Sequence, residues 1–176
     1  MMQAAPSGIR ILGIDPGSRA TGYGLIEAAP GRFRCIEQGV LKLGDGPIPG
    51  RLHLLFQGLR ELLARMQPDE VAMEQVFVKR NVASALVLGQ ARGAAICAVA
   101  EASHALHEYA PASIKQAVTG SGRAEKAQIQ RMVRVLLNLP VVPAADAADA
   151  LACALCHAQT RIYRLRTATP LRTSRR

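Results

Sequence analysis

The hydrophobic pattern at the start of the chain predicts a strand that ends on a carboxylate. Apolar residues dominate the stretch from Ile9 to Ile14, as in a strand buried on both faces of a sheet. Pro16 and Gly17 end this strand, because proline lacks a backbone donor and glycine permits a sharp exit. Asp15 is therefore predicted at the carboxyl end of a central strand, where open α/β sheets bind their ligands.

The rest of the pattern alternates between strands and helices. Strands are predicted over 20–27, 32–43, 70–74 and 106–110, and the short links between the first three favour an antiparallel meander. Apolar stripes and small-residue runs predict helices over 51–66, 83–102, 112–118, 124–139 and 145–160. We therefore expect an α/β fold with a mixed five-stranded sheet flanked by helices.

The length of 176 residues fits one domain. We expect a flexible N-terminal extension over 1–8, a folded domain over 9–160 and a flexible, arginine-rich tail over 161–176. The 22 Lys and Arg against 13 Asp and Glu give a net charge of +9, which favours a polyanionic partner such as nucleic acid. No apolar run approaches the roughly 18–20 residues of a membrane span, and no signal pattern opens the chain. A cytoplasmic protein without a membrane partner is therefore expected.

Four carboxylates carry the candidate chemistry. Asp15 and Glu74 each end an apolar strand, and Asp146 and Asp149 lie three residues apart in the first turn of the last predicted helix. Carboxylates that converge in this way suit Mg²⁺ or Mn²⁺, and a pair of such ions can hydrolyse a phosphodiester. Taken singly, each residue also has a structural interpretation: a turn at Asp15, an exposed strand end at Glu74, and a helix cap or favourable helix-end charge at Asp146 and Asp149.

The four cysteines are expected to be reduced thiols, since no export signal is present. Cys153, Cys156 and His157 match the spacing of a haem-attachment motif, but they lie within a continuous helical run. No second cysteine pair is available for a structural zinc site, so neither haem nor structural zinc is expected. His157 is interpreted as a cation near the end of the last helix.

Several motifs together resemble the RuvC family of bacterial Holliday-junction resolvases. They follow one another in order between about Ile9 and His157: Ile14–Gly17 with Thr21–Gly24, Glu74–Phe77, Leu88–Gly93, Tyr109–Pro111, Ile114–Val118, Ala124–Lys126 and Asp146–Ala152. The resemblance implies a ribonuclease-H-like homodimer that nicks two strands of a four-way DNA junction symmetrically with Mg²⁺, in recombination and DNA repair. It also implies the branch-migration proteins RuvA and RuvB as partners.

Carried over to this chain, the resemblance assigns catalysis and metal binding to Asp15, Glu74, Asp146 and Asp149. Lys115 and Lys126 match basic residues that serve junction binding and activity in that family. The small-residue helix over 83–102 is a candidate dimer interface, with core packing as the alternative.

The basic and aromatic residues after Glu74 suggest further DNA contacts. Phe77 could stack on a base unpaired at the crossover, with Lys79 and Arg80 holding phosphates; a core phenylalanine is the alternative. Arg123 and Lys126 could continue the phosphate track, and Arg131 and Arg134 could extend it.

Two other functions compete with nuclease activity. The Asp-Pro-Gly turn and the glycines that follow it are also similar to a phosphate loop of actin-like ATPases and sugar kinases, but these need a second large domain. A junction-binding module without activity is the other alternative, although four anions beside DNA would oppose pure binding.

Overall fold

The computed structural model describes residues 8–75 and 82–168. Its elements follow the predicted order. The strands are β1 Ile9–Asp15, β2 Ala20–Ala29, β3 Arg32–Lys42, β4 Glu70–Glu74 and β5 Leu106–Tyr109. The helices are α1 Ile48–Met66, α2 Val82–Glu101, α3 Pro111–Thr119, α4 Lys126–Leu136 and α5 Ala145–Ala168.

The sheet has the strand order β3-β2-β1-β4-β5, so β1 lies at its centre as predicted. The predicted meander is confirmed, since β1 pairs antiparallel with β2 and β2 antiparallel with β3. The chain then crosses through α1 to β4, which pairs parallel with β1, and through α2 to β5, which pairs parallel with β4. Parallel pairing places the carboxyl ends of β1, β4 and β5 at one edge of the sheet.

Each face of the sheet has its own core. Side chains alternate between the faces of a strand, so Leu12 and Ile14 lie with α1 and α2, whereas Ile11 lies with α3, α4 and α5. We call the second side the α5 face. Asp15 is an even number of residues from Ile11, so it belongs to the α5 face.

Glycines in the central strands allow α5 to lie directly on the sheet. A Cβ on Gly13 would stand 1.9 Å from the Ala150 carbonyl oxygen, and one on Gly24 would stand 2.5 Å from the Leu151 side chain. Such separations are far inside van der Waals contact, so a larger residue at either position would move the helix or the strand. The close approach fixes where the first turns of α5 lie above the sheet.

Two helix boundaries differ from the predicted ones. The predicted end of the last helix at Thr160 is wrong, because α5 continues to Ala168 and Arg161, within it, donates from Nε to Glu70 Oε1 at 3.0 Å. The fourth helix is shorter than predicted: it begins at Lys126 after a turn and ends at Leu136, before Asn138 adopts a φ of 49°. The proposed division into an N-terminal extension, a folded domain and a basic tail stays a prediction.

The expectation about apolar runs was also too strong. Within the described ranges, α2 is long and apolar enough to cross a membrane by length and composition. A single helix of this kind is weak evidence, because the core helix of a soluble protein passes the same test. Ala91, Ala95, Ala98 and Val99 of α2 are buried in the core that also contains α1.

Candidate active site

The register of the two central parallel strands brings Asp15 and Glu74 together. Ile14 of β1 is the partner of Met73 in β4, so the next pair along this register is Asp15 and Glu74. Both residues therefore lie side by side at the carboxyl edge of the sheet and on the α5 face. This is the position predicted for a ligand site in an α/β sheet.

The first turn of α5 supplies two more carboxylates. The backbone at Asp146 packs against β2 so closely that a Cβ on Gly22 would lie 1.9 Å from the Asp146 carbonyl oxygen. One turn later, Ala150 packs on Gly13 of β1. Asp146 and Asp149, on the intervening turn, therefore lie above the ends of the central strands. We call Asp15, Glu74, Asp146 and Asp149 the carboxylate cluster.

The electrostatics of Asp15 reflect this crowding. Burial, followed by the negative charges of Asp149, Glu74 and Asp146, raises the pKa of Asp15 to about 7, while Lys126 acts in the opposite direction. Burial and the charge of Asp149 likewise raise the pKa of Glu74, against the lysines at 115 and 126. The carboxylate cluster thus carries more negative charge than the neighbouring side chains offset.

Two lysines border the carboxylate cluster. Lys126 at the start of α4 places Nζ 2.9 Å from Asp149 Oδ2, and this hydrogen bond raises the pKa of the lysine. Lys115 of α3 lines a pocket of about 180 Å³ together with Glu74, Lys126 and Asp149. Two positive charges therefore lie in the same pocket as two carboxylates of the cluster, beside apolar side chains such as Ile114 and Ile129.

Arg92 of α2 is a residue whose role the sequence did not reveal. Its Nη1 donates to the Glu74 carbonyl oxygen at 2.5 Å, and its other terminal nitrogen pairs with Glu108 of β5. The side chain is only 14% exposed. Arg92 thus ties the end of β4 to β5 and fixes the backbone that carries Glu74. The available signal was that Arg92 belongs to the Leu88–Gly93 motif. Its contact with the end of β4 could not be read from the sequence, because such a contact has no characteristic spacing.

The other predicted contacts have different outcomes. Arg123 is exposed and is absent from the residues that line the carboxylate pocket. Phe77, Lys79 and Arg80 lie outside the described residues. The interpretation of His157 is wrong: this residue is 2% exposed and lies well inside α5, because the helix extends beyond its predicted end.

A family described as "Crossover junction endodeoxyribonuclease RuvC" matches residues 11–157 of the chain. The chain belongs to the RuvC family. Its RuvC relatives include a protein of Alkalilimnicola ehrlichii, 57% identical over 84% of this chain and 90% of the relative. Another, from Halorhodospira halophila, is 56% identical over 91% of this chain and 96% of the relative. The resemblance predicted from the motifs is thereby confirmed.

Solved RuvC structures agree with this assignment. Thermus thermophilus RuvC has a TM-score of 0.79 at 34% identity, over 93% of this chain and all of the other. The same protein in complex with a Holliday junction substrate has a TM-score of 0.81 at 34% identity, over 93% of this chain and 99% of the other. The ribonuclease-H-like fold is confirmed. Membership of the RuvC family makes the chain a crossover junction endodeoxyribonuclease, which displaces the ATPase and pure-binding alternatives.

Proposed function

We propose that this chain resolves four-way DNA junctions by paired, symmetric nicks through Mg²⁺-dependent phosphodiester hydrolysis, in recombination and DNA repair. The observation that carries the proposal is the carboxylate cluster, two members of which, Glu74 and Asp149, line a pocket with Lys115 and Lys126. Among the described residues its negative charge is only partly offset, as the raised pKa of Asp15 indicates. Such a site calls for divalent cations, and its basic border suits a phosphate backbone.

The side chains of the carboxylate cluster fit magnesium. All four offer oxygen atoms only, and hard cations such as Mg²⁺ and Mn²⁺ prefer oxygen. Asp15, Glu74, Asp146 and Asp149 would hold the metal, with two ions expected and Mn²⁺ able to substitute. Bound Mg²⁺ supplies the activation of a water molecule and the stabilisation of the leaving oxygen.

The other residues of the site position the carboxylates or neutralise part of their charge. Gly13 and Gly22 let α5 approach, so that Asp146 and Asp149 are held by a helix rather than by a loop. Arg92 fixes the backbone at Glu74. Lys126 neutralises part of the charge of Asp149. Together with Lys115, which lines the same pocket, it would bind the phosphate next to the bond that is cut.

Junction binding extends beyond the pocket in this proposal. Phe77 would stack on a base unpaired at the crossover, while Lys79, Arg80 and Arg123 would bind phosphates. The net charge of +9 favours such contacts. The Thermus thermophilus RuvC structure in complex with a Holliday junction supports the substrate class, since that protein shares the fold and 34% of the matched residues.

A homodimer would supply the second active site that paired nicks require. One side of α2 carries apolar or small residues along a helical stripe of Val82, Leu86, Gly89, Gly93 and Cys97. Gly93 is half-buried and the others are exposed, Val82 by 68% and Leu86 by 66%. A Cβ on Gly89 or Gly93 would meet nothing within 4 Å. A second copy of α2 could therefore pack closely against this α2 stripe. The RuvA and RuvB branch-migration complex and a cytoplasmic location complete the proposal, on the strength of the family.

The decisive experiment compares substrates and one variant. The wild-type chain should nick a four-way junction in Mg²⁺ far faster than a linear duplex of the same sequence. Asp15→Asn should abolish nicking while junction binding stays equal or becomes slightly tighter, because an anion near the DNA is removed. Equal cutting of duplex and junction would reduce the proposal to a general nuclease. Wild-type cutting by Asp15→Asn would refute the metal assignment.

The dimer has a separate test with a matched control. Leu86→Arg places a charge on the α2 stripe, whereas Leu54→Arg places one on α1 at a leucine that is 55% exposed. Light scattering should give a dimer for wild type and Leu54→Arg and a monomer for Leu86→Arg, which should also lose simultaneous paired nicks. A dimer of unchanged stability in Leu86→Arg would move the interface elsewhere.

A further inference from the structure

A second cluster of potential metal ligands lies on the α5 face, at the opposite end of β4 from Glu74. Glu70 at the start of β4, His107 of β5 and His157 of α5 each direct a ligand atom to one place, and these atoms all lie within 4.8 Å of one another. We call these three residues the histidine cluster. From Glu70 to Glu74 the strand rises about 13 Å, so the two clusters are separate sites.

We propose that the histidine cluster binds a single zinc ion or a similar borderline divalent metal, which would clamp α5 to β4 and β5. Two imidazoles and one carboxylate are a known zinc ligand set, and imidazole favours Zn²⁺ over Mg²⁺. Each ligand stands on a different element of secondary structure. One ion would therefore join three elements through three bonds.

The surroundings of His157 suit its role as a metal ligand. Its Nδ1 lies 2.6 Å from the Tyr109 hydroxyl, while Nε2 faces Glu70 Oε2. In a metal-binding histidine, one ring nitrogen coordinates and the other donates a hydrogen bond that fixes the ring, and Tyr109 is placed to accept that bond. Burial lowers the pKa of His157, although the hydrogen bond to Glu70 opposes this shift. The neutral form is the one that ligates.

Glu70 and His107 complete the set. Glu70 Oε1 accepts from Arg161 Nε at 3.0 Å, which leaves Oε2 directed towards His157. A ligating carboxylate is commonly held in this way by a hydrogen bond to its second oxygen. The ring of His107 stacks on that of His157 with centroids 4.3 Å apart. Metal binding would thus require Nε2 and Oε2 to separate slightly, with the single proton of the neutral imidazole on Nδ1, where Tyr109 accepts it.

Solvent can reach the cluster from the side of Glu70. Glu70 is 23% exposed and lines a surface pocket with Asp69 and Arg161, next to residues of β1 and β2. A metal ion can therefore enter, and a water molecule can take the fourth position of a tetrahedral site. Among the described residues, Arg161 pairs with Glu70 Oε1 at this site, and its positive charge lowers the affinity for a metal ion.

The test measures zinc retained after dialysis of the full chain in excess Mg²⁺, which occupies the carboxylate cluster. His107→Phe and Glu70→Gln each remove one ligand, and His53→Ala is the matched control because His53 is exposed on α1. Wild type and His53→Ala should retain one zinc ion per chain. Both cluster variants should lose it, because their affinity for zinc should be at least about tenfold weaker than that of wild type. Zinc should also raise the melting temperature of wild type and His53→Ala, but not of the cluster variants.

Equal zinc retention in all four proteins would overturn the proposal, as would the absence of bound zinc in wild type. Two independent ligand substitutions protect the test against a folding defect in either one. The readouts are metal content and melting temperature, so they do not depend on junction cleavage. A failure here would leave the proposed nuclease function untouched.

Discussion

The two ends of β4 show two ways of burying carboxylates under one helix. At the carboxyl end, the carboxylate cluster gathers four acids, and burial with mutual repulsion raises the pKa of Asp15 to about 7. At the amino end, hydrogen bonds from His157 and Arg161 outweigh burial and lower the pKa of Glu70. The first site thus concentrates negative charge, whereas at the second Arg161 offsets the charge of Glu70. The carboxylate cluster is therefore distinguished by its excess negative charge, and the histidine cluster by the convergence of its three ligand atoms.

The largest expected effect is the loss of nicking in Asp149→Asn. The substitution keeps the shape of the side chain but removes a negative charge from the carboxylate cluster, so metal affinity and rate should fall on the order of 10²–10³-fold. Single-turnover nicking of a junction in saturating Mg²⁺ measures the rate. Asp45→Asn is the control, since Asp45 forms only an exposed pair with Arg19. A loss below threefold would remove Asp149 from the catalytic set.

The next effect concerns helix placement rather than charge. Gly13→Ala would put a Cβ 1.9 Å from the Ala150 carbonyl oxygen, so α5 must shift and carry Asp149 with it. A displacement near 1 Å can cost about 10²-fold in rate, and overpacking should lower stability by about 1–3 kcal/mol. Gly46→Ala is the control, because a Cβ there meets nothing within 4 Å. Normal nicking by Gly13→Ala would show that the close approach is dispensable.

The third prediction uses the raised pKa of Asp15 in metal-free protein. An acid that titrates near 7 when folded and near 3.8 in its ordinary state holds its proton more firmly in the folded state. Ionisation therefore costs stability from about pH 4 upwards, and the full cost applies above pH 7. In EDTA at pH 8, Asp15→Asn should be about 2–4 kcal/mol more stable than wild type in urea unfolding. The gain should shrink towards pH 4, and saturating Mg²⁺ should offset it.

The fourth prediction concerns Glu70, where removal of the charge should lower the stability instead of raising it as at Asp15. Glu70 loses two charge-assisted hydrogen bonds in Glu70→Gln, so stability at pH 7 in EDTA should fall by about 1–2 kcal/mol. Its lowered pKa means that this contribution is present above the ordinary value of 4.5 and disappears as the pH falls through the folded value. Nicking should stay near the wild-type rate. Glu61→Gln on the exposed side of α1 is the control, and a stability gain in Glu70→Gln would erase the distinction between the two ends.

The sequence predicted the carboxylate cluster because each member has a local signature. Asp15 and Glu74 end apolar strands, and Asp146 and Asp149 have helical spacing. Glu70, His107 and His157 have no such signature, since their meeting depends on the register of β4 with β5 and on the length of α5. The helix was expected to end before Arg161 because basic residues resembled a tail. The side chain of Arg161 instead anchors the helix by reaching Glu70, a contact that no local pattern encodes.

The α2 stripe also places a thiol where it can report on assembly. Cys97 is exposed, whereas Cys153 and Cys156 are buried in α5, with thiol pKa values that burial raises, that of Cys156 to about 11. Alkylating reagents attack the thiolate, so they should modify Cys97 first and spare the two buried thiols in the folded chain. The rate at which Cys97 is modified would fall when a second copy covers the stripe. The chain thus contains its own chemical probe, and dilution followed by brief labelling can measure how tightly two copies associate.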